Sequence, residues 1–154
     1  MVQISDYEWT LDALHCACLL ARNTGTPIVL VEMIPVQHPT LLGTDFGYMN
    51  FSHQDEASLR DYQATIEDYG LEFTTLLFQY MDLPSGIAQA AEHVHAQIVF
   101  AHIPDSIIPL WSKFQRWLLN RQLTHQHRQW IEHPLYDANA AVTIANPVVE
   151  ISHP

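Results

Sequence analysis

The run Ile28-Val29-Leu30-Val31-Glu32-Met33-Ile34 is almost continuously apolar and rich in β-branched residues. A strand with one wet face alternates apolar and polar residues, whereas an unalternating run needs cover on both faces. A parallel sheet layered between helices gives that cover. Two further strand-like runs, Leu71–Tyr80 and Ala96–His102, follow segments of helical period. The alternation predicts a three-layer α/β/α sandwich around a mostly parallel five-stranded sheet, Rossmann-like, as one domain over 1–154.

Local signals place the elements. Thr10–Ala21 carries Leu11, Leu14, Cys18 and Ala21 on one helical face, and Gly25 suits the position just past its end. Gln54–Tyr69 repeats the pattern with Leu59, Tyr62, Ile66 and Tyr69, closed by Gly70. Pro84 opens a third helix reaching His95, which buries Ile87, Ala90, Ala91 and Val94. Asp105 or Ser106 is the expected cap of a fourth helix, with Pro109 in its first turn. Its expected core stripe is Ile107, Trp111, Phe114 and Leu118, and it extends, whole or broken, to Trp130. Val2–Ile4 supplies a short opening strand. The final strand is expected within Ala141–Ile144 or Pro147–Ile151, and Pro35–Gln54 is a long irregular stretch.

Composition narrows the function. A formal charge of −11 disfavours nonspecific contact with nucleic acid or anionic membranes. No apolar run approaches the roughly 20 residues of a membrane span, and the opening residues lack a signal-peptide pattern, so the expected location is cytoplasmic. Cys16 and Cys18 point about 200° apart on a helix, which excludes a mutual disulfide and a shared metal there. At least one should pack as a small apolar side chain.

Candidate chemistry lies in the second half. His102 ends a predicted central strand, where ligands of open α/β sheets bind, and Asp105 and Ser106 follow it. These three are either polar groups of a small-molecule cleft or simply cap and edge residues. No Gly-x-Ser-x-Gly elbow exposes a serine nucleophile. The pairs His93/His95 and His125/His127 sit at i, i+2, which turns helical side chains apart. They read as solvent-facing helix-end residues, with no metal site expected. Lys113, Arg116, Arg121 and Arg128 hold four of the six cations, and no acid falls between Asp105 and Glu132. Arg121, His125 and Arg128 would share a helical face. That stripe reads as a solvated face, a docking stripe for the acidic segment Asp55–Glu72 of a second subunit, or an arginine-based anion site. Trp111, Trp117 and Trp130 beside these arginines suit self-association.

Taken in order, several pieces resemble the universal stress protein family across nearly the whole chain. They are Thr10-x-x-Ala13-Leu14-x-x-Ala17 with Gly25, the strand from Ile28 to Met33, and Tyr69-Gly70. Gly86-x-Ala88-x-x-Ala91, Ala96-Gln97-Ile98-Val99 and Asn146-Pro147-Val148-Val149 continue the series. The resemblance implies an adenine nucleotide alpha hydrolase-like fold and a dimer formed through the last strand, Pro147–Ile151, to which the Trp111–Trp130 helix is added. The family's phosphate glycines fall at Ala101, Pro104, Phe114 and Gln115, and no glycine follows Gly86. The family's first-strand aspartate falls at Ser5, one residue before Asp6. The expectation is a non-enzymatic, dimeric stress-response or signalling module with a degenerate nucleotide site and no cofactor. The alternative is an ATP- or AMP-binding protein, or slow ATP hydrolase, using Asp6, Val31, His102 and the arginines from Arg116 onward.

Overall fold

The computed structural model describes residues 1–37 and 53–132. Among the described residues nine elements alternate in order: β1 (Val2–Ile4), α1 (Tyr7–Thr24), β2 (Ile28–Pro35), α2 (His53–Asp68), β3 (Phe73–Tyr80), α3 (Leu83–His93), β4 (Ile98–Phe100), α4 (Pro109–His125) and β5 (Gln129–Ile131). The sheet runs β3-β2-β1-β4-β5, and every described ladder is parallel. The predicted three-layer α/β architecture is therefore present. Among the described residues no helix is long and apolar enough to cross a membrane.

Period-two alternation divides the sheet between two cores. Val2, Ile28, Leu30, Phe100 and Ile131 face α1 and α2, meeting Leu14, Cys18, Tyr62 and Ile66. Val99, Ala101 and Ile103 join Ile87 and Ala91 of α3 and Leu119 and Leu123 of α4. The helices pair accordingly, α1 with α2 and α3 with α4.

Gly25 closes α1 in the left-handed region, at φ 67°, and its N–H returns to Ala21 O. The second half manages the same turn without glycine. His95 and His127 take φ 53° and 57° just after α3 and α4. In each turn two N–H groups fold back on the last helical carbonyls: Ala96 N to Ala91 O and His95 N to Glu92 O, then Arg128 N to Leu123 O and His127 N to Thr124 O. The two His-x-His pairs are thus twin helix exits, each leading into a strand. Gly86 serves closeness instead of turning. A Cβ there would collide with Tyr80 Cβ and lie 3.1 Å from the Met33 methyl.

Three expectations need correction. Neither Asp105 nor Ser106 caps α4; the cap is Ile108, without a side-chain bond, and Pro109 opens the helix. The helix ends at His125, so Trp130 lies in β5 and Arg128 leaves the face of Arg121 and His125. The buried side of α4 is Ser112, Leu119 and Leu123, while Ile107, Trp111 and Phe114 are exposed. Trp130 instead packs beside the α3–α4 core. The fifth strand consequently arrives at Gln129, earlier than expected; the runs 141–144 and 147–151, and residues 38–52 of the irregular stretch, lie outside the described residues.

Three measurements check this account. Gly86→Ala should lower stability by about 1–3 kcal/mol through overpacking, although alanine favours a helix by about 1 kcal/mol. His95→Gly and His127→Gly should each raise the unfolding free energy by about 0.5–1 kcal/mol, read as a higher urea midpoint, by relieving left-handed strain. Burial pushes the Cys18 thiol up to about 11, so at pH 8 only about one molecule in a thousand carries its thiolate. A thiol reagent should therefore leave Cys18 unlabelled in the native protein and label it in denaturant.

Candidate functional site

The strand order reverses direction between β1 and β4, since β1 leads outward to β2 while the chain returns from β3 to β4. In open α/β sheets the crevice beyond the carboxyl ends at such a point is where ligands bind. Here Ser5 and Asp6 follow β1, the segment from Ala101 to Ile108 follows β4, and Glu132 follows β5.

The turn after β1 satisfies itself. Asp6 caps α1, its carboxylate accepting the Trp9 N–H at 2.9 Å. Thr10 Oγ1 accepts from Ser5 N and donates to Asp6 O. Trp9, in the first turn of α1, reaches across the crevice: its Nε1 donates to Glu132 O at 2.8 Å, and its ring lies 5.6 Å from that of His102.

The loop after β4 is tied down by Arg116. One Nη2 donates to Ile103 O and to Asp105 Oδ1, each at 2.9 Å, and Nε donates to Glu132 Oε1 at 2.7 Å. Hydrogen bonding to Glu132, opposed by partial burial and aided by Asp105, raises the arginine pKa. Glu132 is 11% exposed and Asp105 85%, so the inner half of this ion triplet carries the larger energetic weight. Ser106 Oγ accepts from Ile108 N at 3.3 Å. His102 N donates to the buried Gln3 side chain at 3.0 Å, whereas His102 Nδ1 is buried without a hydrogen-bond partner among the described residues. His102, Asp105 and Ser106 do not bond one another, so they form no proton relay.

The edge thus gathers Asp6, His102, Asp105, Ser106 and Arg116. Val31 stands apart, fully buried in β2 and registered between Gln3 and Leu76. The arginines do not converge either. Arg128 binds Ala96 O before β4, while Arg116 binds Ile103 O beyond it, and Arg121 lies 5.4 Å over the Trp117 ring. Among the described residues no group of three or more His, Cys, Asp or Glu side chains is placed to hold a metal ion. A cavity of about 470 Å³ opens at the opposite, amino edge, lined by Leu20, Ala21, Pro27, His95 and Gln129 among others. None of the predicted site residues lines it.

Sequence reasoning missed Gln3, Trp9, Glu132 and the role of Trp130, whose Nε1 donates to Ala101 O. One signal was present: Asp105 and Glu132 bound the acid-free stretch in which Arg116 lies, and both fold onto it.

No protein-family model and no curated protein matches this sequence. Solved structures do. A protein from the universal stress protein family from Burkholderia pseudomallei superimposes with a TM-score of 0.54 at 15% identity, covering 86% of this chain and 94% of the other. The chain has the universal stress protein fold. A universal stress protein in complex with cAMP superimposes with a TM-score of 0.61 at 11% identity, covering 86% of this chain and 96% of that one. Within the universal stress protein fold, the sheet edge described above is held by side-chain bonds around Arg116.

Those bonds are measurable. Arg116→Met should destabilise the protein by about 1–3 kcal/mol, because Ile103 O and the Glu132 carboxylate lose a charged donor. Asp105→Asn, altering the exposed partner, should cost under about 1 kcal/mol in the same denaturant titration.

Proposed function

We propose that this chain is a non-enzymatic, dimeric module of the universal stress protein type, acting in stress response or signalling with a degenerate nucleotide site. The observation that carries the reading is the engagement of Arg116. A phosphate site on this edge needs free N–H groups and uncommitted positive charge. The segment from Ala101 to Ile108 contains no glycine and includes Pro104, which has no N–H. The arginine nearest to it is already bound to two carboxylates. An incoming phosphate would have to displace Asp105 and would meet the negative charge of Glu132.

The second reading, an adenine-nucleotide binder or slow hydrolase, draws on two observations. The similar structure in complex with cAMP makes a cyclic or linear adenine nucleotide the first ligand to test. His102 Nδ1, buried at the switch point without a partner, is a polar atom that a base or ribose could engage.

Thermal melting with ATP, ADP, AMP and cAMP separates the two readings. Ligand at one hundred times its Kd adds about 2.7 kcal/mol of apparent stability. The module reading expects no saturable shift at millimolar nucleotide. A saturable shift abolished by His102→Ala would replace it with the binder.

A further inference from the structure

The cavity at the amino edge of the sheet takes no part in the site described above. α1 lines it with Ala17, Leu20 and Ala21, and β4 and β5 line it with Ile98, Phe100 and Ile131. Ala17 and Ala21 stand one turn apart on the same helical face, so short side chains leave the space open there. Exposed residues of two helix-to-strand turns mark its mouth: Thr24, Thr26 and Pro27 at the end of α1, and His95 and Gln97 after α3. At about 470 Å³ the cavity falls in the small-molecule range, roughly 300–1,000 Å³. One turn of helix, ~10 Å across and ~5.4 Å high, would take up nearly all of it. A small molecule therefore suits it better than a segment of polypeptide.

The lining also constrains the occupant's charge. Among the described residues that line the cavity there is no Asp, Glu, Lys or Arg. Met1 lines it, and its amino group donates to Ile98 O at 3.0 Å. Burial lowers the pKa of that group to about 6, so above pH 7 it is mainly uncharged. A cation would enter without a carboxylate to pair it, and an anion would face the negative C-terminal ends of α1 and α3. The threonines supply a polar anchor. Thr24 Oγ1 donates to Leu20 O at 3.1 Å and lies 2.9 Å from Thr26 Oγ1. A hydroxyl has one hydrogen, so Thr26 donates to Thr24 and keeps acceptor capacity of its own. We propose that this cavity binds an uncharged amphipathic small molecule, a medium-chain or aromatic alcohol, with its apolar body against Ile98, Phe100 and Ile131 and its hydroxyl donating to Thr26 Oγ1. The site goes beyond the proposed function, since it lies at the opposite edge from the crevice at the switch point and shares no residue with it.

Fluorescence titration of the full chain at pH 8 with N-phenylnaphthylamine, an uncharged dye that brightens in apolar surroundings, tests it. The expected result is saturable binding of one dye per chain. Decanol should displace the dye, while decanoate and decylammonium should do so at least tenfold more weakly. Decanol should also outcompete its methyl ether, which has no hydrogen to donate, by about fivefold. In Thr26→Val that advantage should vanish; the residue is exposed, so the chain should fold. Ile98→Trp fills the cavity from β4 and should weaken the dye at least tenfold, with circular dichroism reporting the folded state. Phe114→Glu is the control for the exposed aromatic side chains of α4, which could also take up an apolar dye, and should leave the titration unchanged. Absence of saturable binding overturns the proposal. So does equal displacement by decanoate, a dye signal lost in Phe114→Glu, or one retained in folded Ile98→Trp. An advantage of decanol that survives Thr26→Val overturns the assigned anchor. Nucleotide melting is read separately, so this site and the proposed function fail on different measurements.

Discussion

Both halves of the sheet meet on β1, a strand of three residues. Its ladder with β2 holds Val2 to Leu30, Gln3 to Val31 and Ile4 to Glu32. Toward β4 it has the single Val2 to Phe100 register, flanked by Phe100 N donating to Met1 O and the Met1 amino group donating to Ile98 O. Beyond Phe100 the ladder would leave the His102 N–H without a strand partner, and buried backbone donors rarely stay unpaired. The Gln3 side chain fills that place. A polar residue in the middle of a buried strand is thus what lets so short a strand join two layers of helices.

The same economy explains the sheet edge. A glycine-rich loop leaves its amides open for an anion. Here the loop after β4 has conventional side chains, and Arg116 gathers its carbonyl and the two flanking carboxylates into one cluster. The cluster rigidifies the place where ligands of this architecture usually enter. The apolar surface not used for packing appears on α4, so the physical emphasis moves from a pocket to a face.

How much of this was readable beforehand depended on the range of each signal. Gly25, Gly70 and Pro84 act within a few residues, and the helices they bound were recovered to within three residues. The run from Ile28 was long enough to declare two-sided burial. β4 and β5 are three residues each, too short to carry a period, and Trp130 was absorbed into a helix it does not join. The stripe of α4 was inverted because aromatic residues at helical spacing were assigned to the core, whereas the helix packs on Ser112, Leu119 and Leu123. At the site, His102 and Asp105 were placed by topology. Trp9 and Glu132 were not, because the bond between them spans 123 residues of chain, and only the folded register brings them together.

The cluster at Glu132 also sets how force would travel through the molecule. Glu132 is gripped by Arg116 through its carboxylate and by Trp9 through its carbonyl, one residue past β5. A pull on the polypeptide beyond this residue would load α1 and α4 together before reaching the β4–β5 ladder. β5, with three residues, is thereby spared from being peeled away first.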